Sequence, residues 1–344
     1  MTLRPAHDHP AASGPSPRSR ALLVALCAGA VLGGPALPAH AGPAHGGGAA
    51  VEESRTAAAP VGHYTALGDS FSSGLGIPAQ TDAVCGRSDR NYPTLVASAT
   101  GAAASSDVTC AGAETRHVAE AQNGVPPQLD AVRPDTSVVT MGIGGNDLDL
   151  AGIIKRCVLL AYLNPQGSPC KNSFTLFGTD EIGSRINAAA PKVASALQAV
   201  RAKAPAARVF LVGYPAIAPD DGSACRATIP LAAGDFAWLR DKTKQLNAML
   251  AQQAAAGGAV FVDTYAPSVG HDACKPAGVR WIEPTDTAEG AGFHPNAAGH
   301  ASTAATLTTL IGSRPGLPAR WPVRPPHPEA GPAPAPGAAA GERP

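Results

Sequence analysis

The chain of 344 residues lacks a charge of prevailing sign: 26 basic side chains stand against 26 acidic ones. No net field is available to recruit nucleic acid or an anionic membrane, and a polyanion-binding protein is excluded first. Charge of either sign is sparse, at 15% of residues against 44% hydrophobic, so a large core can still form. No apolar run reaches the ~18 residues that a spanning helix needs, and no integral membrane segment is expected in the mature chain. No Cys-x-x-Cys pair with a matching histidine spacing is present, which removes the usual zinc frameworks. No internal repeat is evident.

What is abundant is glycine and proline, with 38 and 34 residues. That excess belongs at the ends. Arg4, Arg18 and Arg20 precede an apolar stretch from Ala21 to Leu32, and Ala39-His40-Ala41 then offers a small-x-small cleavage site. Residues 1–41 therefore read as an export signal rather than a core helix, and the protein is expected to be secreted. Residues 42–62, rich in Ala, Gly, Pro and His, read as a flexible leader. Residues 315–344, with Pro325, Pro326, Pro328, Pro332 and Pro334, carry too little apolar surface to offset their ordering entropy. Removing the signal discards Cys27 and leaves six cysteines: Cys85, Cys110, Cys157, Cys170, Cys225 and Cys274. An even set in an oxidising exterior implies three disulfides, for which 15 pairings exist, the sequential one closing the shortest loops.

The remaining stretch, 63–314, has the length of one α/β domain. Short apolar runs predict strands at Tyr64 to Leu67, Asp107 to Thr109, Ser137 to Ile143, Arg208 to Gly213 and Ala259 to Val262. Helical spacing predicts helices over Tyr92 to Ala99, Ile182 to Ala202 and Ala297 to Leu310. A further helix carries Phe236, Leu239, Leu246, Met249 and Leu250 and stops at Gly257-Gly258. Pro191 is expected to kink or split the second. The sum is an α/β fold, a three-layer α/β/α sandwich around a mostly parallel five-stranded sheet.

Ligands of such sheets sit beyond the carboxyl ends of the strands. Gly68-Asp69-Ser70 follows the first strand, Cys110-Ala111-Gly112 the second and Gly144-Gly145-Asn146-Asp147 the third. Phe293-His294-Pro295-Asn296 precedes the last helix. These four blocks, in this order, resemble the GDSL or SGNH hydrolase superfamily, with a flavodoxin-like fold. The resemblance assigns the nucleophile to Ser70, the glycine and asparagine donors to Gly112 and Asn146, and the base to His294. The flanking text, YTALGDSFSS at Tyr64 to Ser73, IGGND at Ile143 to Asp147, Gly213-Tyr214-Pro215 and RWIEP at Arg280 to Pro284, is similar to secreted lipases and esterases of actinomycetes. The same resemblance implies sequential disulfides, Cys85 with Cys110, Cys157 with Cys170, and Cys225 with Cys274.

The chemistry stands on the residues as well. Ester hydrolysis needs a nucleophile, a base and donors aimed at the developing oxyanion. Ser70 follows a strand and opens a helix, where free backbone amides favour negative charge. Its amide, that of Gly112 and the side-chain NH2 of Asn146 would surround one oxygen, and Gly112 lets substrate approach the backbone closely. Neutral His294 would take the hydroxyl proton and pass it to the leaving alcohol, with an acyl-enzyme between. Most members of the superfamily have Asp three residues before the histidine, where this chain has Ala291. A Ser-His dyad is therefore expected. The ring would be oriented by a main-chain oxygen near Ala291 or by a carboxylate of Glu283, Asp286 or Glu289.

Taken singly, these signals have bland readings: Gly-Asp-Ser as a turn, Asp69 and Asp147 as helix caps. Four together at strand ends favour catalysis. His63, His117, His271 and His300 read as surface or structural residues, His300 as an exposed position on the last helix. Gly74 to Ala79 matches a loose dinucleotide pattern but reads as a loop, since Pro78 fits poorly in a helix. Ser72 breaks the G-x-S-x-G elbow, and Asp147 with Asp149 is too little for calcium. The apolar segment from Leu148 to Phe177 reads either as an acyl-binding wall or as an amphipathic helix packed on the core. The expected function is a secreted serine esterase or lipase acting on small-molecule or lipid esters. It would act as a monomer without cofactor or metal. A phospholipase, a carbohydrate acetylesterase and a non-catalytic exported scaffold are the alternatives.

Overall fold

The computed structural model describes residues 61–313; the expected export signal, most of the expected leader and the proline-rich C-terminal residues lie outside them. Five parallel strands form the main sheet: β1 (His63–Gly68), β2 (Ala104–Asp107), β3 (Thr136–Gly142), β4 (Arg208–Val212) and β5 (Val260–Val262). Their order is β2-β1-β3-β4-β5. The chain leaves β1 toward one edge and returns to β3 on the other side. That reversal puts the topological switch point between β1 and β3, where a doubly wound sheet opens a crevice at its carboxyl ends. A short antiparallel ribbon pairs Gln80–Asp82 with Arg87–Ser88.

Alternation within the strands divides the interior into two cores, one on each face of the sheet. Leu67, Val139, Met141, Val209 and Leu211 pack with the helices α3 (Leu150–Leu163), α4 (Pro169–Phe174), α5 (Glu181–Lys203) and α6 (Asp235–Ala256). Tyr64, Ala66, Val138, Phe210 and Val212 face the other way, onto α2 (Tyr92–Ala99) and α8 (Ala297–Gly312). The short helices α1 (Ser70–Ser73) and α7 (Tyr265–Ser268) complete the set. Side chains cap the helices that border the crevice: Asn91 accepts from Thr94 N at 2.9 Å, Asp149 from Gly152 N at 3.1 Å, and Asn296 from Ala298 N at 3.1 Å.

Three expectations from the sequence are corrected. The second strand lies at Ala104–Asp107, earlier than Asp107 to Thr109, because this edge strand is paired on one side only and is built from small polar residues. Asp107 ends it by accepting from Thr109 N and Oγ1 at 3.0 and 2.7 Å. Pro191 does not split its helix: α5 runs unbroken from Glu181 to Lys203. Pro191 and Asn187 are both exposed, so water can satisfy the carbonyl that the proline leaves without a donor. His300 is buried rather than exposed, at 1%. Its Nδ1 accepts the Tyr92 amide at 3.0 Å, and its ring stacks on Tyr92 with centroids 5.9 Å apart. The imidazole thus satisfies one of the free amides at the start of α2.

The six cysteines pair sequentially: Cys85 with Cys110, Cys157 with Cys170, and Cys225 with Cys274. Among the described residues no helix is long and apolar enough to cross a membrane.

Candidate active site

Each block at the carboxyl end of the sheet is fixed by backbone bonds to its neighbours. Asp69 N donates to Gly142 O at 2.9 Å, tying the loop after β1 to the end of β3. Its carboxylate caps α1 by accepting from Phe71 N at 2.9 Å, which aims the buried Ser70 at the crevice. Cys110 N donates to Gly68 O and Ala111 N to Cys85 O, both at 2.9 Å, so the first disulfide and β1 hold the loop carrying Gly112. Gly112 has φ 77°, the left-handed region, and an added Cβ would meet only Gln122 Nε2 at 3.6 Å. Glycine is required there by backbone conformation more than by crowding.

Asn146 follows β3 and donates from Nδ2 to Ala113 O at 2.9 Å, leaving its other N–H for the crevice. The adjoining Asp147 accepts from Thr115 N at 2.9 Å and Thr115 Oγ1 at 2.7 Å, stitching the Gly112 and Asn146 loops together. The backbone N–H groups of Ser70 and Gly112 find no acceptor among the described residues. Two main-chain donors and one side-chain donor are thus free on the same rim.

The histidine arrives on a braced loop. Glu283 N donates to His294 O at 3.0 Å, Asn296 N to Trp281 O at 2.8 Å, and Asn296 Nδ2 to Glu283 Oε1 at 2.8 Å. Ala291 N donates to Leu75 O at 3.2 Å. At Gly76, φ is 77°, and a Cβ would stand 2.6 Å from Ala291 N, so a glycine is needed where the two loops touch.

Ser70 Oγ and His294 Nε2 are 2.8 Å apart. On the far side of the ring, Nδ1 lies 2.7 Å from Gly292 O. A carbonyl can only accept, so the proton sits on Nδ1, and Nε2 is left as the acceptor for the serine hydroxyl. The orienting group is therefore a main-chain oxygen, one residue beyond Ala291. The three carboxylates considered from the sequence do not touch the ring. Glu283 is paired with Arg280 at 2.7 Å, and Glu289 is exposed. Asp286 accepts from Gly292 N at 2.8 Å, behind the carbonyl that holds the imidazole. Burial pushes the His294 imidazole below its usual value, while the Gly292 carbonyl and the Asp286 charge pull it back upward.

Sequence reasoning missed a buried relay beneath these loops. Tyr214 Oη donates to Asp69 Oδ2 at 2.6 Å and accepts from Gly145 N at 2.7 Å. Asn247 holds the Tyr214 backbone on both sides, accepting from its N–H and donating to its carbonyl at 2.8 Å each. Burial raises the Asp69 carboxyl to about 7, against the hydrogen bonds from Tyr214 and Phe71 that favour its ionised form. The one sequence signal was the position of Gly213-Tyr214-Pro215 just after β4.

Ser70, Gly112, Asn146 and His294 line one cleft of about 720 Å³. Most of its remaining wall is apolar and comes largely from α3, through Leu150, Ile154, Val158 and Leu159, with Phe71 and Phe293; Lys155, Thr285 and Asp286 are its polar members. The segment thus lines the cleft on one side and packs on the core with Ile153, Cys157 and Ala161 on the other. A smaller apolar pocket of about 50 Å³ shares Leu150, Ile154, Ile217 and Phe293 with the cleft and continues toward Trp238.

The profile of the GDSL-like Lipase/Acylhydrolase family matches residues 66–302. The chain is similar to Lipase 2 of Streptomyces coelicolor, at 39% identity over 87% of this chain and 99% of that protein. It is similar to an esterase of Streptomyces scabiei at 31%, covering 73% and 81%. Among solved structures, phospholipase A1 from Streptomyces albidoflavus NA297 aligns with TM-score 0.58 and 30% identity, over 72% of this chain and 99% of that one. The extracellular lipase of Streptomyces rimosus aligns with TM-score 0.56 and 29% identity, over the same shares.

Proposed function

The chain belongs to the GDSL-like lipase/acylhydrolase family and is a carboxylic ester hydrolase of the lipase and esterase kind; we propose that it is secreted and cleaves fatty-acyl esters through a Ser70–His294 acyl-enzyme mechanism. What carries this reading is the 2.8 Å contact between Ser70 Oγ and His294 Nε2 at the floor of an apolar cleft. Ser70 Oγ attacks the acyl carbon while Nε2 takes its proton. The carbonyl oxygen becomes an oxyanion held by Ser70 N, Gly112 N and Asn146 Nδ2. Collapse breaks the bond to the alcohol oxygen, which receives the proton from Nε2 and leaves the acyl group on Ser70. A water then attacks the acyl-enzyme, with His294 again as base, and releases the carboxylic acid. Gly292 O stabilises the imidazolium less than a carboxylate would, with Asp286 adding charge from behind.

The acyl chain would run along the α3 wall, with its end directed at the smaller pocket behind Phe293. A cleft of this size and apolarity favours long acyl groups over an acetylated polysaccharide. A glycerophospholipid is the second reading, supported by the likeness to the S. albidoflavus phospholipase A1. Export rests on residues 1–41 as signal and on three disulfides in the described domain. The same reading keeps 63–314 as the catalytic domain, between a leader and a tail. All its proposed catalytic groups come from one copy of the chain, as a monomer requires. The test is a chain-length series of p-nitrophenyl acyl esters. Rates should rise from acetyl to longer chains and collapse in Ser70→Ala. A preference for acetate, or wild-type rates in Ser70→Ala, would overturn it.

A further inference from the structure

The overall balance of charge hides a local imbalance. From Leu150 to Thr179 the chain carries Lys155, Arg156 and Lys171 and no acidic residue. The acids that flank this stretch are engaged elsewhere: Asp149 and Glu181 with Arg185, Asp147 with Lys192, and Asp180 with Lys242. Lys155 and Lys171 have no carboxylate partner among the described residues.

The same stretch concentrates exposed apolar surface. Leu159, Tyr162, Leu163, Leu176 and Phe177 are each more than half exposed, and among the described residues only one other large apolar side chain, Val84, is as open. Phe177 is fully exposed and holds a left-handed backbone, φ 55°, which a bulky residue adopts only when its surroundings impose it. The two halves of the stretch are tied together. Cys157 bridges to Cys170, and Arg156 donates to Ser173 O at 3.0 Å and lies over the Phe174 ring at 4.3 Å. Finally, Leu159 and Tyr162 line the cleft that holds Ser70 and His294. Through these two residues the exposed apolar surface of the stretch reaches the cleft.

We propose that the stretch formed by α3, α4 and the turn after α4 is a docking surface for an anionic lipid interface, with Leu163, Leu176 and Phe177 entering the acyl boundary while Lys155 and Lys171 meet the headgroups. Apolar side chains interleaved with cations, and no anions, are the chemistry of a segment that lies on such an interface. A protein seated here, or a second copy, would cover the mouth of the cleft, whereas a lipid surface would feed it. Docking itself does not depend on the proposed hydrolysis; only its purpose rests on that reading.

The test is co-sedimentation of the full exported protein with ether-linked, non-hydrolysable phosphatidylcholine vesicles, with and without phosphatidylglycerol. The wild type should bind the phosphatidylglycerol vesicles more tightly, and less so at high salt. The triple variant Leu163→Ser/Leu176→Ser/Phe177→Ser should lose roughly tenfold or more in partitioning. Lys171→Glu should weaken the preference for phosphatidylglycerol. Turnover of a soluble short-chain p-nitrophenyl ester should be unchanged in these variants, which checks that they fold. Equal partitioning of wild type and triple variant, equal binding to both vesicles, or self-association through this face without vesicle binding would each overturn the proposal. Absence of ester turnover in the wild type would count against the proposed hydrolysis alone.

Discussion

Tyr214 hands its hydroxyl proton toward Asp69 at 2.6 Å while taking the Gly145 amide at 2.7 Å. One buried phenol therefore couples the residue before Ser70 to the residue before Asn146. Neither Tyr214 nor Asp69 lines the cleft, so both are positioning residues. Tyr214→Phe removes the donor to a buried carboxyl and strands a buried amide. It should cost about 1–3 kcal/mol of stability. It should also lower kcat by roughly 10- to 100-fold with little change in KM, because the proposed donors would drift from the oxyanion that develops on the carbonyl oxygen. Steady-state kinetics on a soluble ester check this. A loss confined to stability would mean that the relay is structural only.

His300 gives acid sensitivity a specific source. Burial lowers its imidazole to about 3, so the folded ring stays neutral where the unfolded ring, titrating near 6.5, takes up a proton. Between those values the unfolded state binds more protons, and stability falls as pH falls, by about 4–5 kcal/mol across the window. Asp69 acts in the opposite sense. Its folded pKa of about 7 stands above the unfolded 3.8, so its contribution grows as pH drops through that range. His300→Asn keeps an acceptor for Tyr92 N and isolates the histidine. Its melting temperature should trail the wild type at pH 8 and catch up or pass it by pH 4. A gap independent of pH would contradict this.

The three disulfides close loops of different length, with sequence separations of 25, 13 and 49 residues. Chain entropy then ranks Cys225–Cys274 as the most stabilising, at about 4 kcal/mol, against about 3 kcal/mol for Cys157–Cys170. Urea denaturation of paired Cys→Ser variants checks the ranking. The reverse order would show that strain or residual unfolded structure outweighs loop closure.

Much of this architecture was legible in the sequence because it is written in residue types. β1, β3, β4 and β5 are apolar runs, and Ser70, Gly112, Asn146 and His294 each follow or precede a recognisable element. β2 was misplaced because an edge strand of small polar residues carries no alternation. A main-chain oxygen near Ala291 was one of the groups expected to orient His294, but the choice between it and the carboxylates was not legible, since a backbone carbonyl such as Gly292 O belongs to every residue alike. Tyr214 and Asp69 are 145 positions apart, and Tyr92 and His300 are 208 apart. Such pairs are specified by the sheet order and by no local pattern.

The direct test of the central claim, that His294 activates Ser70, is the rate of covalent labelling by a fluorophosphonate as a function of pH, with the modified peptide identified by mass spectrometry. The label should fall on Ser70 alone. Its rate should rise with pH through a single ionisation below the ordinary 6.5 of histidine, because burial depresses the imidazole and the neutral form is the base. His294→Gln should remove the titration and slow labelling by roughly 10²- to 10⁴-fold. Labelling at another residue, or a Ser70 rate that ignores both pH and the loss of His294, would contradict the account.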